Sequence, residues 1–83
     1  MEIIMKSSEQ LVFEYDSVGD ILYISKVKPY PSQDSDEIED GVVARMNPET
    51  LEIESLEILS FKKRLDNNPS FSLPIIAKLI KSA

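Results

Sequence analysis

The 83-residue chain has no cysteine, no histidine and no tryptophan, and only two glycines. Without cysteine there are no disulfides, thiol nucleophiles or thiolate metal sites. Without histidine, the commonest general base and zinc ligand is missing. Zinc centres and Ser-His or Cys-His catalytic arrangements are therefore excluded. Carboxylates, lysine or tyrosine can catalyse on their own, but a chain this short has little material for building and dehydrating such a site. A non-catalytic protein is the expectation, with no cofactor and no metal. The apolar runs are too short to span a bilayer. The opening Met-Glu-Ile-Ile-Met-Lys does not read as a secretory signal, so a cytoplasmic location is expected.

Charge is scarce in one sign and unevenly placed. The net charge is −6. Residues 1–60 carry 4 basic and 14 acidic side chains, for −10, whereas residues 61–83 carry 5 basic and 1 acidic, for +4. An acidic body repels nucleic-acid phosphates. The same polarity suits a head-to-tail contact between copies or a partner of mixed charge. Lys62-Lys63-Arg64 is too short and isolated a basic run to alter that reading.

A chain of this size buries only about 60–65% of its unfolded surface, and one domain is expected over residues 1–83. Its clearest local signal is a hairpin. Leu11, Phe13 and Tyr15 alternate with Val12, Glu14 and Asp16; after Asp16-Ser17-Val18-Gly19-Asp20 comes a second β-rich run, Ile21 to Lys28. Gly19 is expected to supply the positive φ of the turn, and Asp16 to cap it. The second strand is apolar on both sides at its start, which predicts an inner position. Residues 2–6 suggest a further strand or an arm. Pro29-Tyr30-Pro31 ends the second strand, and residues 29–40 read as a long acidic loop.

Gly41 opens a third strand, Val42–Met46. Asn47-Pro48-Glu49-Thr50 has the signature of a type I turn, and a fourth strand covers Leu51–Leu59. The apolar phase of that strand slips: Leu51 and Ile53 are odd, Leu56 and Ile58 even. The slip predicts a bulge near Glu54-Ser55. Ser60 could cap a short helical turn carrying Phe61 and Leu65, broken by Asn67-Asn68-Pro69. Leu73, Ile76, Leu79 and Ile80 then fall on one helical stripe, with Ser72 suited to an N-cap. The expected fold is α+β: an antiparallel β-meander of about four strands over residues 11–59, then a helical tail over 60–83 whose final helix covers one sheet face.

The run Tyr15-Asp16-Ser17-Val18-Gly19-Asp20-Ile21-Leu22-Tyr23-Ile24 resembles the opening of the domain of unknown function 2283 family. These are small prokaryotic proteins that begin Tyr-Asp, a short turn, Asp, an apolar residue and Leu-Tyr-Ile. Asp40-Gly41-Val42-Val43, the turn at Asn47–Thr50 and Leu56-Glu57-Ile58-Leu59 match its later segments, so the resemblance covers roughly residues 11–61. Thr50 and Ser55 stand near points where the family often has glycine. The resemblance implies a compact β-meander with a C-terminal helix. It implies no established activity and no catalytic residues. Such proteins look like members of two-gene pairs, so an antitoxin-like role is one implication.

The chemistry-bearing constellations are few. Asp16 and Asp20 flank the first turn and could share a proton or a cation; with Tyr23 they would form a small carboxylate-based ligand binder or enzyme. The simpler reading is that Asp16 caps the turn and Asp20 begins the second strand at its wet end. Asp34, Asp36, Glu37, Glu39 and Asp40 lack the glycine that an EF-hand loop needs at its sixth position, and read as a solvated loop. Tyr15 and Tyr23 suit packing, and Tyr30, between two prolines, suits exposure. The leading expectation is a protein-interaction module, homo-oligomeric or bound to a small protein partner. Its contact surface should include Phe71, Leu73, Ile76 and Ile80.

Overall fold

A computed structural model describes residues 10–82; the strand or arm expected at residues 2–6 lies outside them. Five strands form one antiparallel sheet: β1 (Val12–Asp16), β2 (Ile21–Ser25), β3 (Asp34–Glu39), β4 (Val42–Met46) and β5 (Ile53–Leu59). One short helix among the described residues, α1 (Phe61–Asn67), follows. The sheet order is β1-β2-β5-β4-β3. It is not a simple meander, because β5 inserts beside β2 and becomes the central strand.

The first hairpin forms where expected. Asp16 Oδ1 accepts hydrogen bonds from the backbone N–H groups of Val18 (3.0 Å) and Gly19 (3.1 Å). The left-handed residue, however, is Asp20 (φ 57°) rather than Gly19. Aspartate tolerates that conformation because its short side chain bonds locally. Gly19 supplies space instead: a Cβ there would lie 2.9 Å from Asp16 Oδ2.

Directly opposed residues share a face, so the register divides the sheet. Phe13, Ile24, Leu56 and Ala44 form one rung, and Tyr15, Leu22, Ile58 and Val42 the next. This face holds the buried core of Val42, Ala44, Leu56 and Ile58. The other face is more polar, with Glu14, Tyr23, Glu57, Val43 and Glu37 on one rung. There Arg45 Nε donates to Glu57 Oε2 at 2.5 Å. The expected bulge is present: Arg45 faces Ser55 but Met46 faces Ile53, which leaves Glu54 as the extra residue. The bulge returns Ile53 to the core side, where it packs with Met46. This is the physical content of the phase slip.

Two further expectations need correcting. The acidic segment 29–40 is not wholly a loop, since Asp34–Glu39 pairs with β4 as an edge strand. Solvent reaches both of its sides, so its carboxylates cost little there, and charge on an edge discourages pairing with other chains. Only Ile38, at a register shift, packs inward. Glu39 and Val42 are joined by the turn Asp40-Gly41, whose glycine has φ +79°.

The second correction concerns the tail. No helix forms over Leu73–Ile80; the segment is an irregular strap. Phe71, Leu73 and Ile75 are half-buried with exposed residues between them, a spacing of two rather than 3.6. Pro74 explains the change. It lacks an N–H, it biases Leu73 away from the helical region, and it sits at the centre of a three-residue turn in which Ile75 N–H donates to Leu73 C=O at 2.8 Å. The strap nonetheless covers the core face, because Leu73 and Ile75 pack on the buried cluster.

Candidate functional site

Polar chemistry is concentrated at the two ends of the β2–β5 pair. At the end near Ile21 and Leu59, the C=O of Asp20 accepts from Phe61 N–H (3.0 Å), and its carboxylate accepts from Lys62 N–H (2.8 Å) and Lys63 N–H (3.4 Å). These three donors are the free N–H groups that open α1. Ser60 stands at the N-cap position with no side-chain cap hydrogen bond, so Asp20 fills that role from another part of the chain. The Tyr15 hydroxyl also donates to Asp20 Oδ1, at 2.7 Å. The bond from Lys62 N–H, followed by that from Tyr15, holds the Asp20 carboxyl below its ordinary range. The same bond to Asp20 raises the Tyr15 hydroxyl.

Aromatic and cationic packing closes this end. Tyr15 meets Phe61 edge to face at 6.0 Å, Phe61 meets Phe71 at 6.2 Å, and the Arg64 guanidinium lies 5.7 Å from the Phe71 ring centre. Arg64 also donates to Leu59 C=O (2.9 Å) and Asp40 C=O (2.7 Å). Gly41 leaves room for it: a Cβ on Gly41 would fall 2.5 Å from Arg64 Nη2. A cleft of about 620 Å³ lies beside this contact, lined by acidic Glu37, Glu39 and Asp40 and by basic Lys63 and Arg64.

At the opposite end the bulge buries a carboxylate. Glu54 is only 8% exposed. Its Oε1 accepts from the Tyr30 hydroxyl (2.6 Å) and Gln33 Nε2 (2.9 Å), and its Oε2 accepts from Asn47 Nδ2 (3.2 Å). The bond from Tyr30 is the chief reason the Glu54 carboxyl stays below its ordinary value, against the opposing effect of burial. Reciprocally, the Tyr30 hydroxyl is pushed up to about 12, first by its bond to Glu54. Asn47 is used at both ends, because its Oδ1 caps the 47–52 turn by accepting from Glu49 N–H (2.9 Å) and Thr50 N–H (3.1 Å). Lys26 and Glu52 form an ion pair at the rim. Gln33 Oε1 is buried and has no hydrogen-bond partner among the described residues.

The expected site residues fall into three groups. Asp16 and Asp20 each accept from protein donors, Asp16 from Val18 and Gly19 N–H and Asp20 from Lys62 and Lys63 N–H and the Tyr15 hydroxyl, and these bonds hold the Asp20 carboxyl below its ordinary range. Tyr23 lies on the polar face between Glu14 and Glu57, the face that also carries Asp16. Tyr30 is half-buried and engaged rather than exposed. The sequence marks Glu54 as a bulge position and Asn47 as the start of a turn, but gives no sign that they and Gln33 come together; the phase slip is the only local signal. Among the described residues, no three Asp, Glu, His or Cys side chains are placed to hold a metal ion.

The third feature is apolar. A groove of about 610 Å³ runs between the core face and the strap, lined by Leu11, Phe13, Ile24, Leu56, Leu73 and Ile75 among others. Of the expected contact residues, Phe71 and Leu73 are docked within the fold. Ile76 and Ile80 are exposed, as is Leu79. Phe13 is 60% exposed and Leu11 is half-exposed. No helix among the described residues is long and apolar enough to cross a membrane.

Comparison with curated proteins and with solved structures returns no match. The pattern that carries the Asp20 cap, from Phe13 in β1 to Lys62 at the start of α1, is also the extent of a family match. Over residues 13–62, more than half of the chain, it fits the family described as protein of unknown function (DUF2283), and the chain belongs to that family.

Proposed function

We propose that this chain is a non-catalytic protein-interaction module whose partner is a second copy of itself. One observation carries the reading. Leu11 and Phe13 of the first strand region, together with Ile76 and Leu79 of the strap, line a single groove while remaining largely exposed. Contiguous exposed apolar surface marks contact sites. Each exposed side chain gains about 1.5–3 kcal/mol if an association buries it fully. Charge favours a second copy over a uniformly charged partner. The body carries −10 and the tail +4, so one copy offers both signs to the next.

Light scattering coupled to gel filtration tests the reading directly. The full chain is expected to elute with the mass of a dimer at micromolar concentration. Leu79→Asp changes an exposed residue that the fold does not need, and should return the mass to that of a monomer. A strict monomer of the unaltered chain at high concentration refutes the proposal.

A further inference from the structure

The two outer strands of the sheet are unequal, and the difference specifies how two copies meet. One edge, β3, reads Asp-Ser-Asp-Glu-Ile-Glu and is broken by a register shift at Ile38. Two such edges brought together crowd eight carboxylates along one seam. The other edge, β1, reads Val-Phe-Glu-Tyr-Asp; all five residues are exposed, and among the described residues nothing pairs with its outer side. An unpaired, largely apolar edge is a template for another strand.

The geometry points to a twofold dimer in which the β1 strands of two copies pair antiparallel with Phe13 at the axis. This rests on the self-association proposed above and adds the interface. A twofold axis perpendicular to the sheet keeps each face continuous, so opposed residues must share a face and only every second register is allowed. Centring on Phe13 places Phe13 opposite Phe13 and Leu11 opposite the second copy's Tyr15. On the other face, Val12 then opposes Glu14 and Gln10 opposes Asp16. No like charges meet, and the core-side rungs are aromatic and aliphatic, the pairs that stabilise a ladder. Centring on Glu14 sets Glu14 against Glu14, which is destabilising. Centring on Val12 leaves Tyr15 and Asp16 with no opposed residue among the described residues.

Two further features agree with this arrangement. Leu11 and Phe13 line the β1 side of the apolar groove, so the axis joins two half-open grooves and covers them together. Two five-stranded sheets become one of ten strands whose outer edges are both the acidic β3. Those edges repel one another, so growth stops at two copies and the assembly closes.

The absence of cysteine supplies the test. Phe13→Cys would carry the chain's only thiol. Directly opposed residues in an antiparallel pair have Cα atoms about 4.5–5.5 Å apart, within disulfide range. Under mild oxidation, F13C is expected to form a covalent dimer about tenfold faster than Glu14→Cys or Val18→Cys, whose Cα atoms would lie beyond bridging distance. Faster linking at Glu14 overturns the register. No preferential linking at Phe13 in a chain that light scattering shows to be dimeric overturns edge pairing while leaving self-association intact. A monomeric chain overturns both. The unaltered protein gives a second reading that does not depend on folding of the variant. Backbone amides of Leu11–Tyr15 should exchange with solvent more slowly as protein concentration rises, and exchange independent of concentration also overturns the pairing.

Discussion

Asp20 and Glu54 are both carboxylates held below their ordinary pKa at opposite ends of the same strand pair, but they are held by different means. Asp20 is engaged mainly by backbone N–H groups at the start of a seven-residue helix. Those donors exist wherever a helix begins, so Asp20 fixes where α1 docks and little else. Glu54 is engaged by three side chains, from Tyr30, Gln33 and Asn47, which lie 24, 21 and 7 residues away. Those donors come from the connection preceding β3 and from the β4–β5 turn. Glu54 thus ties two separate segments to the bulge. One carboxylate positions an element, and the other holds a junction together.

The largest expected effect breaks that contrast if it fails. Glu54→Ala removes the acceptor of three side-chain donors at a position that is 8% exposed, and leaving buried donors unmade is costlier than the bond itself is favourable. Urea unfolding should show a loss of roughly 3 kcal/mol, a large share of the margin of a small domain. Asp20→Ala should act differently. Its far-ultraviolet helical signal should fall as α1 frays, while the sheet's unfolding midpoint moves much less. Equal losses of sheet stability in the two variants would mean that Asp20 and Glu54 brace the sheet alike.

The same contrast explains what the sequence disclosed. The Asp16 cap and the first hairpin were legible because donor and acceptor lie within three residues. The bulge at Glu54 was legible because an apolar phase slip is a local pattern. Its donors were not, because no short-range rule links Tyr30 or Gln33 to a residue more than twenty positions away. Asp20 was recognised as part of a motif but was assigned to the wet end of a strand, since its helical partner is 42 residues distant. β3 was hidden by its carboxylates, whose low strand preference is overridden by pairing with β4. The strap is hidden because Leu73, Ile76, Leu79 and Ile80 do fit a helical stripe, whereas Pro74 and docking through Leu73 and Ile75 favour an irregular path.

Acid sharpens the comparison. Both carboxyls are lowered in the folded chain, so each contributes stability that is fully present above its ordinary value and is lost as pH falls through the folded value. Those ordinary values are 4.5 for Glu54 and 3.8 for Asp20. Unfolding free energy should therefore hold level from neutral pH down to about 5 and decline below it. Glu54→Gln should flatten the first part of that decline and Asp20→Asn the later part. At the alkaline end the Tyr30 phenol, ordinarily near 10.0 and raised to about 12, stabilises the fold below 10 and ceases to do so as it ionises. An ultraviolet titration should show late tyrosine ionisation, of which Tyr30→Phe removes one tyrosine's share and Glu54→Gln shifts that share to lower pH. A phase unmoved by Glu54→Gln would place the cause elsewhere.

The smallest effect separates the two ends by backbone rather than by charge. Each end contains a non-glycine residue in the left-handed region: Asp20 at φ 57° and Leu51 at φ 64°. Aspartate accepts that conformation readily, and leucine does not. Leu51 is 65% exposed, so its side chain contributes little packing to offset the strain. Its N–H closes the turn on Asn47 C=O at 2.8 Å, a bond that glycine would keep. Leu51→Gly should therefore raise stability by roughly 0.5–1 kcal/mol, the relief of left-handed strain less the added flexibility of glycine. Asp20→Gly relieves little strain and removes the α1 cap, so it should lower stability. If both substitutions stabilise the chain, Asp20 holds no more than its own turn; if neither does, the strain at Leu51 is offset by contacts that its exposure conceals.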